Sequence, residues 1–234
     1  MSRYTSEALR DLLARHLLFR GVPDEVVSGL VKFAIAKHYE EGAEIFAKGD
    51  VGDALYGILA GRVCICTDSA EGEEVLLNIL DPGQFFGEIA LLDGGTRTAS
   101  ARAMIAVDVL RIRRENFLPY LRANPELSVA MISVLCSRIR MNVEFIEDAV
   151  FLHLAARLAK RLQALGEQHG KSCPKGVRIE LKLSRQDLAH MVGATRERVS
   201  RELSLLREEG AIASEEGMIV ICKPERLKEL LAEG

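Results

Sequence analysis

The chain lacks the segments that membrane-spanning or secreted proteins need. No apolar run among its 234 residues approaches the roughly 18 residues of a membrane-spanning helix. The first residues include Arg3, Glu7, Arg10 and Asp11, a charge pattern that differs from that of a secretory signal peptide. The sequence therefore predicts a protein that stays in the cytoplasm and has no membrane partner.

Metal-ligand spacing is also missing. The five cysteines are odd in number and lie scattered at Cys64, Cys66, Cys136, Cys173 and Cys222. Cys64 and Cys66 are two apart in the strand-like segment GRVCICT, which favours half-buried strand positions over a metal or disulfide role. The histidines do not have the spacing of metal ligands; they are His16, His38, His153, His169 and His190. No candidate nucleophile is accompanied by a base and an acid. We therefore expect neither a metal centre nor an enzyme.

Charge is distributed unevenly along the chain. From Leu154 onward there are 15 Lys and Arg against 12 Asp and Glu, whereas the preceding part has 16 against 22. The formal net charge of −3 thus hides a basic C-terminal part. This asymmetry favours a polyanionic partner for that part.

Hydrophobic periodicity changes twice along the sequence. Leucines at helical spacing predict short helices over residues 5–30. From about Ala34 to Arg113, short apolar pieces are separated by Gly, Asp and Pro, which predicts an all-β sandwich or barrel-like roll. A long helix is then predicted, with Pro125 in its first turn and apolar residues at spacings of three and four.

The long helix has two interpretations. Residues seven apart, such as Leu127, Val134 and Met141, or Met131 and Phe145, are typical of a coiled-coil seam. The helix could instead pack on its own domain. The apolar stripe of the helix is broad, and the helix connects two modules. Both features favour packing against the same helix of a second chain.

The C-terminal part has the element order of a winged helix-turn-helix. We expect a helix over LAARLAKRLQALGEQHG, a loop at KSCPKG, a strand at VRIELKL, two short helices, and a hairpin at AIASEEGMIVI with its turn near Glu216 and Gly217. Between the two short helices, Gly193 supplies the turn. Ser184 with Asp187 is a capping box, and Thr195 can cap the second helix.

The second of these helices has a buried and an exposed face. Its buried residues would be Val199, Leu203 and Leu206, and its exposed residues Arg196, Glu197, Ser200 and Arg201. Arginine binds guanine bidentately and a carboxylate accepts from cytosine, so this face has the chemistry to read bases in a major groove. The alternative is a solvated face with weak Glu–Arg pairs.

A second motif, FGEIALLDGGTRTASARA, runs from Phe86 to Ala103. It places Glu88, Arg97, two threonines and three glycines in one short segment. One interpretation is a tight turn with solvated charges. The other is a cradle for an anionic ligand.

From about Leu17 to Leu230 the sequence resembles the cyclic-AMP-receptor (CRP/FNR) type of bacterial transcription regulator. The resemblance implies an α+β fold: a jelly-roll-like β-roll that binds a cyclic nucleotide over residues 1–122, a dimerisation helix and hinge over 123–152, and a winged helix-turn-helix domain over 153–234. It implies base contacts by Arg196, Glu197 and Arg201 and phosphate contacts by Ser184, Arg185, Gln186 and Thr195. The expected partners are a TGTGA-like palindrome in double-stranded DNA, a second copy of the chain, and RNA polymerase.

The same resemblance makes the second motif a phosphate-binding cassette. It implies that Glu88 binds the ribose, that Arg97 and Thr98 bind the cyclic phosphate, that the N–H groups of Ile89 and Ala90 donate further, and that Gly87 permits close approach. Asn142 stands where the family places a polar residue near the ligand base. Cyclic AMP is the favoured effector, with cyclic GMP as the alternative, and no cofactor is expected.

Three alternatives stay open. The first is a regulator that keeps the fold but needs no effector, and the second is a cyclic-nucleotide module that acts through protein partners instead of DNA. The third is a haem sensor, since His38 and Cys64 are present, although neither gives a specific ligation signal. An iron–sulfur sensor is disfavoured, because the iron–sulfur sensors of the family have cysteines near the N-terminus and this chain has none before Cys64.

Overall fold

The computed structural model describes residues 19, 21–68 and 74–233, and the helix predicted before residue 19 lies outside them. The chain forms two compact units, and the division between them falls between Ile139 and Arg140. The fold is α+β, as the sequence predicts: a β-domain, a long helix and a helix-turn-helix with a small sheet.

Among the residues that the structure describes, eight strands build the first unit. Helix α1 (Asp24–Val31) precedes strands β1 (Ala34–Tyr39), β2 (Glu44–Phe46), β3 (Ala54–Ala60), β4 (Val63–Asp68), β5 (Glu74–Leu80) and β6 (Phe85–Phe86), helix α2 (Glu88–Asp93), strands β7 (Ser100–Ala103) and β8 (Val107–Arg113), and helix α3 (Arg114–Ala123). The strands pair antiparallel in two four-stranded sheets, ordered β1-β8-β3-β6 and β2-β7-β4-β5. The predicted β-region is confirmed from its first strand at Ala34 to its last at Arg113, although helix α2 lies within it.

The alternation of side chains along β3 gives this unit two cores. Tyr56 and Ile58 join residues of both sheets, such as Val109 and Ala101, in the core between the sheets. Leu55, which points the other way, belongs to a second core with α1, α3 and the start of the long helix. The sheet that contains β3 is therefore covered on both faces.

The long helix α4 (Pro125–Phe151) is continuous over 27 residues. Leu127 and Met131 are buried in the core of the first unit, so the seam that the sequence predicts through these two residues is wrong there. They pack on their own domain because the first turns of α4 lie against α1 and α3. A different stripe is exposed and has alternating spacings of three and four; it consists of Val129, Ile132, Ile139, Val143, Ile146 and Val150, with half-buried Cys136 between Ile132 and Ile139.

The second unit has the predicted order of elements with two additions. It comprises α5 (Leu154–His169), β9 (Gly170–Cys173), β10 (Gly176–Ile179), α6 (Arg185–Val192), α7 (Arg196–Glu208), β11 (Ile212–Glu215), β12 (Met218–Ile221) and α8 (Pro224–Glu233). Most of the predicted loop KSCPKG is instead β9 and a tight turn, because β9 pairs with β10 at the sheet edge. Helix α8 is the second addition.

The wing hairpin forms where the sequence predicts it. β11 and β12 pair antiparallel, with Glu215 opposite Met218. The two residues between them, Glu216 and Gly217, both have positive φ, at 52° and 80°. This is the geometry of a type I′ turn, which matches the twist of the flanking strands.

Candidate functional site

The cassette begins with a glycine in a left-handed conformation. Gly87 caps helix α2 with φ at 80°, which strains any other L-residue. A Cβ built on Gly87 would lie 2.6 Å from Nη1 of Arg97. Both the backbone angle and the contact therefore require glycine at this position.

Arg97 is a buried cation, with 3% of its surface exposed. Its Nη1 donates to the carbonyl of Gly87 at 2.6 Å, and its Nη2 donates to the carbonyl of Ala54 at 2.7 Å. The guanidinium carbon lies 4.2 Å from the ring centroid of Phe46 and 5.7 Å from that of Tyr56, within cation–π range. Burial lowers the pKa of Arg97 below its ordinary value, although arginine stays charged at neutral pH.

Asp53 lies between Arg97 and a second arginine. Its Oδ1 is 3.6 Å from Nη2 of Arg97, and its Oδ2 accepts a hydrogen bond from Nη2 of Arg111. Desolvation opposes the charged form of Arg111, but interactions with Tyr56 and Asp53 outweigh it, so the pKa of Arg111 is raised. The buried arginine is thus connected to an outer ion pair.

Glu88 is a buried carboxylate at the first position of α2, with 2% of its surface exposed. Its Oε1 accepts from Nη1 of Arg138 on α4, and Nη2 of the same arginine donates to the carbonyl of Phe85. Arg138 was not among the site residues predicted from the sequence. The available signal was physical: a buried carboxylate needs a counter-ion.

Two buried polar atoms of the cassette have no hydrogen-bond partner among the described residues: Oε2 of Glu88 and Nε of Arg97. The first is an acceptor and the second is a donor. Buried polar atoms are nearly always paired. The arrangement therefore suits a ligand that presents a hydroxyl donor together with an anionic acceptor.

The other predicted ligand residues differ in burial and in position. Ala90 is buried, while Ile89 and Thr98 are exposed at the surface of the cassette. Asn142 lies one helical turn beyond Arg138 on α4, in the second unit, and its side chain is exposed. Its role at a ligand base stays a prediction.

The helix-turn-helix has both predicted caps. Ser184 Oγ accepts from the N–H of Asp187 at 3.0 Å, and the Asp187 carboxylate accepts from the N–H of Ser184 at 2.7 Å. Gly193 ends α6 with φ at 63°. Thr195 caps α7 by accepting from the N–H of Arg198 at 3.4 Å. These contacts fix the turn between the two helices.

Helix α7 has the two faces that the sequence predicts. Val199, Leu203 and Leu206 are buried. Arg196, Glu197 and Arg201 are exposed, and among the described residues no ion pair joins them to each other or to a neighbour. The alternative of intrahelical Glu–Arg pairs is therefore not what the structure has.

Contacts within the motif hold two predicted phosphate-binding residues. Arg185 Nη1 donates to Ser200 Oγ and so ties α6 to α7. Gln186 Nε2 lies 2.6 Å from Nε2 of His190, one turn along the same helix. Both contacts orient the side chains at the N-terminal end of α6.

Charged contacts brace the junction between α4 and α5. Lys160 Nζ lies 2.6 Å from Glu144 and 2.8 Å from Asp148. Desolvation works against its charge, but the hydrogen bonds to Asp148 and Glu144 outweigh it and raise the pKa of Lys160. The N-cap of α5 is His153, whose Nδ1 accepts from the N–H of Ala156 at 3.0 Å. Leu152 and His153 separate the two helices, at the end of the range 123–152 in which a hinge is expected.

Comparisons with known proteins agree with this arrangement. Residues 36–124 match the cyclic nucleotide-binding domain family, and residues 156–230 match the Crp-like helix-turn-helix domain family. The chain is 32% identical over 217 residues to a CRP-like cAMP-activated global transcriptional regulator of Mycobacterium tuberculosis, covering 93% of this chain and 97% of the relative. It belongs to the CRP/FNR family. This CRP/FNR protein is a DNA-binding transcription regulator of the cyclic-nucleotide-regulated type and not an enzyme.

Other relatives and solved structures extend the match. The cyclic AMP receptor protein of Thermus thermophilus is 32% identical, with 91% of this chain and 95% of that protein covered. The structure of the T. thermophilus catabolite activator protein aligns over 93% of this chain and 99% of that chain, at 31% identity and a TM-score of 0.54. The c-di-GMP responsive regulator CLP of Xanthomonas campestris has the same fold, with a TM-score of 0.75 at 24% identity over 85% of this chain and 99% of that chain.

Two features of the structure bear on other function classes. Across the described residues, no helix combines the length and apolarity that crossing a membrane requires. Within the same residues, no group of three or more His, Cys, Asp or Glu side chains could hold a metal ion.

Proposed function

We propose that this CRP/FNR regulator binds cyclic AMP in its first unit and, as a homodimer, then binds a palindromic DNA site through its second unit. The observation that carries the ligand proposal is the pair of buried atoms without partners, Glu88 Oε2 and Arg97 Nε. A cyclic nucleotide offers a ribose 2′-hydroxyl to the first and a charged phosphate to the second.

The identity of the base rests on different support. Glu88 and Arg97 address the sugar and phosphate, which cyclic AMP and cyclic GMP share. Cyclic AMP is preferred because relatives at 32% identity are named for it. Cyclic GMP is the second candidate, since the amide of Asn142 has both donors and acceptors and suits either base. Thr98 would add a hydroxyl to phosphate or guanine, and the N–H groups of Ile89 and Ala90 would donate further.

Titration calorimetry with both nucleotides tests the ligand. We expect the wild type to bind cyclic AMP more tightly than cyclic GMP, and Glu88→Gln and Arg97→Gln each to weaken binding at least about tenfold, or ~1.4 kcal/mol. The control is Glu115→Gln, which changes an exposed carboxylate of the same unit and should bind like the wild type. Absence of binding by either nucleotide to the wild type would contradict the proposal and favour a ligand-independent regulator.

The exposed face of α7 supports the DNA proposal. Arg196, Glu197 and Arg201 have side chains available for base edges, with Ser200 beside them. Ser184, Arg185, Gln186 and Thr195 surround the turn and would contact phosphates. Selection from random-sequence DNA with cyclic AMP present should enrich a TGTGA-like palindrome. Enrichment of no palindrome would favour a module that acts through protein partners.

The homodimer proposal rests on the exposed stripe of α4. Six apolar side chains there are exposed, and together with half-buried Cys136 they recur at spacings of three and four, a pattern that a second α4 helix can cover. A palindromic site also needs two-fold symmetry in the protein. RNA polymerase is proposed as a further partner on the family relation alone.

A further inference from the structure

Asp53 is shared unequally between two arginines of the β-domain. Its hydrogen bond goes to Arg111, while Arg97 lies 3.6 Å away from its other oxygen. The Asp53 side chain is 54% exposed, against 15% for Arg111 and 2% for Arg97. The carboxylate therefore has freedom to move, whereas both cations are held in place.

Arg111 is fixed from the sheet side. It lies on β8 opposite Tyr56 of β3, and its neighbours Tyr56 and Asp53 raise its pKa. Asp53 and Arg111 also line a cavity of about 400 Å³, together with Lys37, Tyr39 and other residues. The Asp53 side chain therefore has open space beside it.

Besides Glu88, which already pairs with Arg138, two anions can neutralise Arg97. One is the carboxylate of Asp53, and the other is the phosphate of the proposed ligand. The two compete because a buried guanidinium that is fully paired with a carboxylate attracts a second anion less strongly. Any group that draws Asp53 away from Arg97 will therefore favour the phosphate.

We propose that Arg111 is a positioning residue for ligand binding: it holds Asp53 away from Arg97 and so keeps the buried guanidinium available to an anion. This inference rests on the proposed cyclic-nucleotide function. It separates the roles of the two arginines, since Arg97 contacts the ligand and Arg111 acts only through Asp53. Lys37 is another cation that lines the same cavity.

Three variants test the proposal by calorimetry with cyclic AMP. Arg111→Gln should lower the affinity about threefold to fivefold, the size of a partly exposed ion pair. Asp53→Asn should bind at least as tightly as the wild type, and adding Arg111→Gln to it should cause no further loss. Arg111→Lys should restore affinity, because lysine can still hold Asp53. Lys37→Gln serves as the matched control that removes a charge from the same cavity.

The pattern of losses distinguishes this role from others. If Arg111 attracted the phosphate directly, Arg111→Gln would weaken binding equally in the wild-type and the Asp53→Asn backgrounds. If Arg111 were only structural, Arg111→Lys would not rescue. Either result overturns the proposal.

A measurement without nucleotide separates failure of this inference from failure of the ligand proposal. The guanidinium N–H signals of Arg97 can be followed by NMR in the ligand-free protein. We expect slower hydrogen exchange in Arg111→Gln, because Asp53 then pairs with Arg97, and no such slowing in the double variant. Unchanged exchange in Arg111→Gln refutes the positioning role, whether or not the wild type binds a cyclic nucleotide.

Discussion

Arg97 is fixed by the protein on several sides. Two backbone carbonyls accept from its Nη atoms, and the ring of Phe46 faces its guanidinium. The carbonyls belong to Ala54 at the start of β3 and to Gly87 at the start of α2, so one side chain connects two distant segments. Holding a binding group in place beforehand lowers the ordering cost of association.

Glu88 depends on Arg138 as its counter-ion. Arg138→Met should lower the free energy of unfolding by about 2–4 kcal/mol, because it leaves a buried carboxylate unpaired. The value lies toward the lower end of what a buried pair costs, since the Arg138 side chain is 34% exposed. Urea unfolding of Arg138→Met, Glu88→Gln and the double variant measures this. Losses that simply add in the double variant would mean that the two side chains do not interact.

At the residue scale, sequence proximity decided what could be predicted. Glu88 and Arg97 are nine positions apart in one motif, and both prove to be buried parts of the cassette. Arg138 is 50 positions from Glu88 and lies in α4, where nothing in the sequence distinguishes it from the other polar residues of the helix. Only the folding of α4 onto the β-domain makes it the partner.

Among the elements, α5 begins with an unusual cap. His153 accepts from the N–H of Ala156, although Asp, Asn and Ser are the favoured residues at this position. His153→Ala should cost about 1 kcal/mol, and His153→Asp should equal or exceed the wild type because a carboxylate also complements the helix dipole. Hydrogen exchange at the Ala156 amide measures the cap directly. Equal protection in His153→Ala and the wild type would show that the cap contributes nothing.

The exposed stripe of α4 predicts where charge will disrupt a dimer. Ile139→Glu and Val143→Glu should give monomers with little DNA affinity, because each places a carboxylate in the middle of the stripe. Ile105→Glu is the control, since Ile105 is an exposed apolar residue between β7 and β8. Sedimentation at micromolar concentration measures the oligomeric state. A monomeric wild type would refute the dimer.

The same helix shows why element packing was harder to predict than element type. Turn residues (Gly, Asp and Pro) between short apolar segments indicated the β-region. The capping residues Ser184 and Thr195, with Gly193 in the turn, indicated the helix-turn-helix. On α4, however, apolar residues at spacings of three and four occupy more than one face. The sequence alone assigned Leu127 and Met131 to the seam with a second chain, whereas contacts with α1 and α3 bury them. Strand β9 was missed because its pairing, not its composition, makes it a strand.

For the whole molecule, the two kinds of DNA contact should respond differently to substitution. Arg196→Ala should cost about 1–3 kcal/mol of specific binding and relax preference at one base pair. Arg185→Ala should weaken binding to all sequences evenly and make the slope of log affinity against log salt shallower by about 0.9 for each phosphate that is no longer neutralised. Binding assays on specific and unrelated DNA over a range of salt concentrations separate the two. Equal losses of Arg196→Ala on both DNAs would refute its role in base reading.

The last prediction couples the two units. If the cyclic nucleotide is the effector, saturating ligand should raise affinity for the selected DNA by about 5–150-fold, the usual range of allosteric coupling. By linkage, the same DNA should raise nucleotide affinity by the same factor. Glu88→Gln should lose the ligand's effect on DNA binding, whereas Glu115→Gln keeps it. DNA affinity that is identical with and without nucleotide would contradict regulation by this ligand.

The contact between Gly87 and Arg97 also constrains how this sequence can evolve. Two separate restrictions act on Gly87: its left-handed backbone, and the Arg97 guanidinium that occupies the place of a side chain. If Arg97 is replaced by a small residue, the backbone restriction remains together with a 3.3 Å approach to the carbonyl of Ala54, and asparagine tolerates that conformation. Replacement of Gly87 is therefore conditional on prior loss of Arg97. In a lineage that abandons its anionic effector, the arginine would be the first of the two to change.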